Sequence, residues 1–141
     1  GAIAQLIEFD LYIDDSFVYR QKADGLIINS PTGSTAYSLS GGGPIVHPNL
    51  DVITLLPMFP HRLNTSPLVV GGGSKITIKM TEKKNKSVLS MDSHSSLTLR
   101  NGDIITISKG KSSLTLIHPK GHDFFEACRN KLGWSSSIPN R

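Results

Sequence analysis

The sequence contains only one cysteine, Cys128, in 141 residues. A single cysteine excludes an internal disulfide and a multi-cysteine metal cluster. No apolar run approaches the roughly 20 residues that a membrane-spanning helix needs. We also expect no signal peptide, because residues 7–10 already alternate apolar and acidic side chains as a strand does. These absences favour a cytoplasmic protein without a membrane partner.

Charged residues are few, at 18% of the chain, and they sum to a formal net charge of +4. Proteins that bind nucleic acid usually gather positive charge into one face or stripe. Here the densest basic run is residues 83–86 (KKNK), between two strand-like segments, and we interpret it as a solvated hairpin tip. We therefore expect no nucleic-acid partner, although the net charge favours anionic small ligands.

Patterns typical of β-strands fill most of the sequence. Residues 5–14 alternate apolar and polar side chains, as a half-buried strand does, and a turn at residues 14–16 predicts a return strand at residues 17–20. The continuous apolar run at residues 25–29 suits a strand buried on both faces. Asn101-Gly102 is a hairpin signal. Further strands are predicted at residues 52–56, 67–70, 75–80, 87–91, 96–100, 104–108 and 113–117.

Two helices are predicted. A short one covers residues 34–40, after a Pro-Thr-Gly turn, and the glycines at residues 41–43 end it. The second covers residues 123–132, where apolar side chains share one face, and Gly133 ends it. About nine short strands with these two helices predict a mainly β, β-sandwich-like fold, in a single domain over residues 1–141.

Residues 24–44 (DGLIINSPTGSTAYSLSGGGP) combine a strand, a sharp turn and a hydroxyl-rich helix entry. The first turn of a helix exposes unpaired N–H groups and the positive end of the helix dipole, which attract phosphates. The segment is neither a Walker P-loop nor a Gly-x-Gly-x-x-Gly fingerprint. Ser34 also lacks the flanking glycines of a hydrolase nucleophile. The residues alone leave open a capped helix without any ligand.

The whole string nevertheless strongly resembles the signature of NAD kinases, most closely the gammaproteobacterial type. The likeness continues at residues 57–61 (PMFPH), 66–69 (SPLV), 91–93 (MDS), 116–119 (LIHP) and 131–135 (KLGWS). The resemblance implies phosphoryl transfer from ATP, or from polyphosphate in some members, to the adenosine ribose 2′-hydroxyl of NAD, giving NADP. It also implies Mg²⁺ or another divalent cation held mainly by nucleotide phosphates, and a homodimer or homotetramer assembled largely through this domain.

Members of the family have two domains, and the N-terminal α/β half carries a Gly-Gly-Asp-Gly motif with the expected catalytic aspartate. This sequence lacks that motif, since its triple glycines at residues 41–43 and 71–73 are followed by Pro44 and Ser74. The chain therefore resembles the C-terminal, NAD-binding β domain. We expect it to hold no catalytic residue and no metal site, and to be inactive alone.

The resemblance assigns three residues to the nicotinamide and phosphate side of the NAD site. Asp24 matches an acidic residue near the nicotinamide end that reaches across a subunit interface, where its carboxylate can accept hydrogen bonds. Lys22 matches a basic position, often arginine, facing a ligand phosphate or a neighbouring subunit. Phe59 matches a loop residue that lines the nicotinamide side, and ordinary core packing is its alternative.

Four more residues match the adenine side of the NAD site. Thr32 and Thr35 match hydroxyl positions that contact the adenine or its ribose. Ala36 matches a small residue that leaves room for the base, and Tyr37 matches the aromatic residue beside the dinucleotide.

The histidines are interpreted as structural, and two other functions stay open. Ser93 stands where some relatives place an active-site histidine, and we assign no catalytic role to His94. His47, His61 and His118 adjoin prolines and lack metal-ligand spacing. One alternative function is a stand-alone dinucleotide-binding β module without catalysis. Another is a related lipid kinase, against which the hydroxyl-rich residues 32–40 argue.

Overall fold

The computed structural model describes residues 6–33, 43–59, 66–81, 87–91, 95–110 and 123–134. The chain divides into two units, Gly1–Lys109 and Gly110–Arg141. The first unit holds the nine described strands, and the second holds the one described α-helix. The mainly β fold expected from the sequence is confirmed, whereas the single domain over residues 1–141 stays a prediction.

The described strands form three antiparallel sheets. The strands are β1 (Ile7–Ile13), β2 (Ser16–Ala23), β3 (Gly25–Asn29), β4 (Val52–Met58), β5 (Leu68–Gly71), β6 (Ile76–Met80), β7 (Ser87–Met91), β8 (Ser95–Leu99) and β9 (Ile104–Ile107). A four-stranded sheet has the order β2-β1-β6-β9, a three-stranded sheet has the order β3-β4-β5, and β7 pairs with β8. A 3-10 helix, Pro31–Gly33, follows β3.

The turn between β1 and β2 consists of Asp14 and Asp15, as the sequence predicts. Their φ angles are 48° and 68°, the left-handed region that a two-residue hairpin turn of this kind requires and that aspartate tolerates. Asp14 Oδ1 also accepts the Lys75 backbone N–H at 2.8 Å. The turn is therefore fixed to the start of β6, and β2 runs on to Ala23, beyond the predicted return strand.

A β-bulge in β2 at Val18 resets the register of this hairpin. Beyond it, Asp10 lies opposite Arg20 and Glu8 lies opposite Lys22. Without the extra residue every later pair would slip by one position, and the side chains would move to opposite faces of the sheet. The bulge therefore brings two acidic and two basic residues together on one sheet face.

The core lies between the four-stranded and the three-stranded sheet. Its buried members come from β1, β4 and β6, and they are Phe9, Leu11, Leu55, Ile76, Ile78 and Met80. Because Leu55 belongs to the second sheet and the other members to the first, the two sheets pack face to face. Full burial of each such side chain contributes roughly 1.5–3 kcal/mol. This packing is the sandwich that the sequence predicts.

The Asn101-Gly102 turn is present, with Gly102 at a φ of 89°, but the predicted hairpin is wrong. The strand before the turn, β8, pairs with β7, and the strand after it, β9, pairs with β6. The turn instead meets the end of β6, where Gly102 N–H donates to the Met80 carbonyl at 2.8 Å. Pairing between distant strands thus overrides the local hairpin signal.

Other expectations also differ or lie outside the described residues. Strand β3 forms as predicted, but it is an edge strand of its described sheet and its first four residues are only half-buried. The strands on either side of residues 83–86 belong to different sheets, so they are not the two arms of one hairpin. The basic run itself, the helix at residues 34–40 and the strand at residues 113–117 lie outside the described residues.

The C-terminal helix, α1 (Phe124–Leu132), confirms the sequence prediction. Asp123 caps it, because its Oδ1 accepts the Phe125 N–H at 2.9 Å. Gly133 ends it in the left-handed conformation, with a φ of 69°. Within the described part of the chain, no helix has both the length and the apolar character to cross a bilayer.

Candidate functional site

The pairing of the strands defines two opposite ends of the first unit. Gly25 pairs with Met58 at one end of the β3–β4 ladder, and Val52 pairs with Gly71 at the opposite end of the same sheet. We call the first the Asp24 end and define it by Lys22, Asp24, Met58 and Phe59. We call the second the Asp51 end and define it by Asp14, Asp15, Asp51, Gly72, Lys75 and Lys109.

Asp24 lies at the crossing from one sheet to the other, between β2 and β3. Its backbone N–H donates to the Met58 carbonyl at 2.9 Å, which extends the β3–β4 ladder by one bond. Its side chain is exposed. The bond fixes the backbone of Asp24 beside the end of β4 and leaves the carboxylate open to a ligand or to another subunit.

Phe59 follows β4 directly and combines two unusual properties. Its side chain is 72% exposed, so the alternative of ordinary core packing is not what the structure shows. Its φ is 46°, a left-handed conformation that is uncommon for a bulky residue and costs about 1 kcal/mol or more. Such strain concentrates at functional sites. The Asp24–Met58 bond places the backbone of Asp24 beside the residue that precedes Phe59.

Lys22 belongs to β2 and points out of the four-stranded sheet. Its Nζ lies 3.6 Å from Glu8 Oε2, and its side chain is 55% exposed. This distance is within ion-pair range but longer than an N–H···O hydrogen bond. An exposed pair of this kind contributes little stability. The ammonium group is therefore available to an anionic group at the Asp24 end.

Thr32 lies away from the other three described candidates. It sits in the 3-10 helix beyond the far end of β3, is exposed, and its Oγ1 lies 3.1 Å from Ser30 Oγ. Five strand residues separate it from Asp24, a span of roughly 17 Å at about 3.3 Å per residue. The structure thus brings Lys22, Asp24 and Phe59 to one end and places Thr32 beyond the other.

The remaining sequence candidates lie outside the described residues. These are Thr35, Ala36 and Tyr37 of the NAD site, together with His61, Ser93, His94 and His118. His47 is described, and its Nδ1 accepts the Asn49 N–H at 3.1 Å, in keeping with the structural role expected for it. Among the described residues, no group of three His, Cys, Asp or Glu side chains could hold a metal ion.

The Asp51 end differs from the Asp24 end because its acidic side chains bind lysines of the same chain. Asp51 Oδ1 accepts a hydrogen bond from Lys109 Nζ at 3.0 Å, and the Gly72 N–H donates to the Asp51 carbonyl at 2.9 Å. Asp15 Oδ1 lies 2.7 Å from Lys75 Nζ. These contacts join the turns of this end to one another, so the charges there are used within the fold.

Sequence reasoning did not find the ion pair between Asp10 and Arg20, on neighbouring strands of the four-stranded sheet. Arg20 Nε and Nη2 donate to the two Asp10 carboxylate oxygens at 2.7 and 3.0 Å. The hydrogen bonds from Arg20 hold the pKa of Asp10 below its ordinary value, and the burial of Asp10 opposes that shift. Opposite charges on the two arms of a hairpin are a signal for such a pair, but the bulge hides the register in the sequence.

Solved structures share this architecture. Yeast NADH kinase, solved in complex with NADH, superposes with a TM-score of 0.82 at 32% identity, over 95% of this chain and 42% of that protein. An NAD kinase from Archaeoglobus fulgidus in complex with ATP gives a TM-score of 0.68 at 34% identity, over 77% of this chain and 41% of that protein. The fold is therefore the one found in part of these kinases.

Sequence comparisons agree with the fold. Residues 1–119 match the ATP-NAD kinase C-terminal domain family. An NAD kinase of Teredinibacter turnerae is 55% identical over 99% of this chain and 48% of its own length. An NAD kinase of Acinetobacter baylyi is 50% identical over 98% of this chain and 45% of its own length. The chain belongs to the NAD kinase family and corresponds to its C-terminal domain, and it spans about half the length of the curated relatives it matches.

Proposed function

We propose that this domain forms much of the NAD site of an NAD kinase, which transfers a phosphoryl group from ATP to the adenosine ribose 2′-hydroxyl of NAD. The observation that carries the proposal is that Asp24 and Phe59 are both exposed and both adjoin the end of the β3–β4 ladder, where Asp24 N–H donates to the Met58 carbonyl. The comparisons support it, because the relatives are named NAD kinases and yeast NADH kinase was solved with NADH.

The chemistry of the Asp24 end suits the nicotinamide half of NAD. A carboxylate accepts hydrogen bonds from a carboxamide or from ribose hydroxyls, which is the role we assign to Asp24. The exposed Phe59 ring offers an apolar face to a flat heterocycle. Lys22 offers a positive charge to a phosphate. None of these groups takes part in bond breaking, so this domain binds and orients the substrate.

The resemblance that places Asp24 at a subunit interface gives the oligomer a role in the site. Asp24 and Thr32 lie at opposite ends of β3. We infer that Asp24 of one copy completes the site that Thr32, Thr35, Ala36 and Tyr37 form in another copy. A homodimer or homotetramer is then required for full NAD binding.

Catalysis depends on groups outside this chain. Phosphoryl transfer relies on positioning and on neutralising charge more than on covalent protein chemistry. In our proposal the other half of the kinase supplies the catalytic aspartate and most ATP contacts. A divalent cation, expected to be Mg²⁺, would be held mainly by nucleotide phosphates and would neutralise their charge. The cytoplasmic location expected from the sequence stays a prediction.

The experiment joins this domain to the N-terminal half of its own kinase and compares variants of the joined protein. We expect the lone domain to be inactive and the joined protein to convert NAD to NADP. Asp24→Ala should lower kcat/KM for NAD about 10- to 100-fold, the loss expected for hydrogen bonds to a charged group. Asp15→Ala, an exposed aspartate of the Asp51 end, is the matched control and should leave NAD use unchanged. Equal rates for Asp24→Ala and the parent protein would refute the site.

The alternative of a stand-alone binding module receives no support from the comparisons, since the relatives described above are kinases about twice as long as this chain. Calorimetry on the lone domain tests it separately. Tight NAD binding by the lone domain, with no kinase half encoded upstream in the same reading frame, would favour the module over the proposed kinase.

A further inference from the structure

The outer edge of β3 lacks the features that usually protect an edge strand. Among the described strands, β3 has a neighbour on one side only, which is β4. Its sequence, GLIIN, contains no charged residue and no proline, and residues 25–28 are only half-buried. Leu26 and Ile28 pack against the core, so Ile27 lies on the opposite face of the strand. An apolar, half-buried edge of this kind is a template for pairing with another strand.

The edge of β2, in the other sheet of the sandwich, is protected. β2 also has one neighbour among the described strands. It carries Arg20 and Lys22, and the bulge at Val18 interrupts its ladder. Charged side chains and bulges are means by which proteins keep edge strands from pairing with other chains. Of these two edges, β3 is therefore the one suited to a partner strand.

We propose that β3 pairs antiparallel with β3 of a second copy of this chain, across a two-fold axis at Ile27. This inference rests on the proposed function, in which Asp24 of one copy completes the site of another. Full overlap of the two strands, each Gly25–Asn29, places Ile27 opposite itself and Leu26 opposite Ile28. Directly opposite residues of an antiparallel pair lie on the same face of the sheet. The core-facing side chains of the two copies therefore adjoin.

Antiparallel pairing exchanges the two ends of the strand. Within one copy, Asp24 and Ser30 are separated by the whole of β3, a span of roughly 20 Å at about 3.3 Å per residue. In the proposed pair, Asp24 lies opposite Ser30 of the second copy, at a Cα separation of about 5 Å, and Thr32 follows two residues later. One contact thus covers the apolar edge and carries Asp24 to the Thr32 side of the other copy's site. The two-fold axis makes this exchange reciprocal.

Disulfide cross-linking of the joined, two-domain enzyme tests the pairing and its register. In Ile27→Cys, the new cysteines of two copies face each other at a Cα separation that a disulfide spans. Oxidised glutathione should therefore link the copies into covalent dimers. Leu26→Cys and Ile28→Cys should each stay unlinked alone, because like residues then lie two positions apart. Copies of these two variants, unfolded and refolded together, should link to each other.

Two controls belong to the cross-linking experiment. The joined enzyme without an added cysteine should stay unlinked, and Cys128, the one cysteine of this domain, is buried. Val69→Cys places a cysteine on β5, at the far edge of the same sheet, where the side chain is 51% exposed. It should also stay unlinked, so exposure of a cysteine on an edge strand is not enough to give a dimer.

A charged variant tests whether the same contact carries the activity. Ile27→Lys puts a charge on the edge, a replacement that opposes strand pairing. It should shift the joined enzyme to smaller species in sedimentation and lower kcat/KM for NAD to the level of Asp24→Ala, and adding Asp24→Ala should lower it no further. Val69→Lys, at the far edge of the same sheet, is the matched control and should change neither quantity. Thermal unfolding of each variant shows whether the domain itself stays folded.

The outcomes separate this inference from the function on which it rests. If Ile27→Cys gives no covalent dimer while Asp24→Ala still lowers the use of NAD, another segment covers the edge, and the inference fails while the proposed site stands. If Ile27→Lys dissociates the enzyme without lowering the use of NAD, the edge does not carry Asp24 to the site, and the inference also fails. If Ile27→Cys links the copies while Asp24→Ala has no effect, the pairing stands and the proposed site fails.

Discussion

The two ends of the sandwich use similar residues for different purposes. At the Asp51 end, Asp51 binds Lys109 and Asp15 binds Lys75, so the charged groups join turns within the chain. At the Asp24 end the side chain of Asp24 is exposed, and Phe59 is both exposed and strained. The difference teaches that an aspartate in a turn is not a functional signal until its partners are known.

The same lesson applies to the two ion pairs of the β1–β2 hairpin. Asp10 and Arg20 form a two-point contact, whereas Glu8 and Lys22 remain at 3.6 Å. The pairs lie two residues apart on the same strands, so neither sequence position nor exposure to one sheet face distinguishes them. The contact distances do distinguish them. Asp10 and Arg20 form a pair that stabilises the hairpin, whereas the longer pair leaves Lys22 able to bind a ligand.

The largest effect on stability should come from Gly72→Ala at the Asp51 end. An added Cβ would overlap the Asp51 carboxylate oxygen and lie 2.7 Å from its Cγ and 3.2 Å from its backbone carbonyl carbon. Asp51 would have to turn away from Lys109, and the backbone would have to shift. We expect a loss of about 1–3 kcal/mol in the free energy of unfolding, as for other overpacked sites, measured by urea denaturation.

A double variant provides the control for this prediction. In an Asp51→Ala background the overlapping carboxylate is absent, so Gly72→Ala should cost clearly less than in the parent protein. An unchanged cost in both backgrounds would show that the backbone, and not the Asp51 side chain, makes glycine necessary there.

A smaller effect is expected from Asp10→Asn in the middle of the four-stranded sheet. The loss should be at most about 1 kcal/mol, because the Arg20 half of the pair is open to water. Since the pKa of Asp10 is lowered in the folded protein, its contribution is present above the unfolded pKa of about 3.9 and is lost as pH falls through the folded pKa. Urea denaturation at neutral and at acidic pH should therefore show a difference between parent and variant that disappears in acid. A difference that persists in acid would exclude the charge of Asp10 as its cause.

The smallest effect is expected from Phe59→Gly at the Asp24 end, and it has the opposite sign. Glycine adopts a φ of 46° without the steric cost that phenylalanine carries. Because the ring is exposed, little packing is lost. We expect stability to rise by a few tenths of a kcal/mol, up to about 1 kcal/mol, while KM for NAD rises in the joined enzyme. Lower stability would show that Phe59 packs within the domain, and an unchanged KM would remove it from the site.

Some features could be predicted from the sequence because they depend on neighbouring residues. The Asp14-Asp15 turn, the helix α1 and its end at Gly133 are local, and all appear where expected. The Asn101-Gly102 turn is also local, but its strands pair with distant partners, so the hairpin prediction failed. Residues close in the chain thus fix turns and caps, whereas sheet order depends on the whole fold.

The candidate site likewise combines residues that the sequence predicted with a contact that it could not predict. Asp24 and Phe59 followed from a resemblance over many residues, and the structure adds that both adjoin the same end of the β3–β4 ladder. The contact between Glu8 and Lys22 could not be predicted from the sequence, because it depends on the bulge at Val18. A two-residue turn without that bulge would place Glu8 and Lys22 out of register. One extra residue in β2 therefore determines which charged side chains lie opposite each other, and no local sequence pattern predicts that residue.

The central claim is that Asp24 and Thr32 of different copies build one NAD site, and mixed oligomers test it most directly. Asp24→Ala and Thr32→Val versions of the joined enzyme, each impaired alone, are unfolded together, refolded and assayed. In a dimer assembled at random from equal amounts, about a quarter of the sites combine an intact Asp24 with an intact Thr32. Our account predicts recovery of about a quarter of the parent activity. If both residues serve the site of their own copy, mixing will restore nothing.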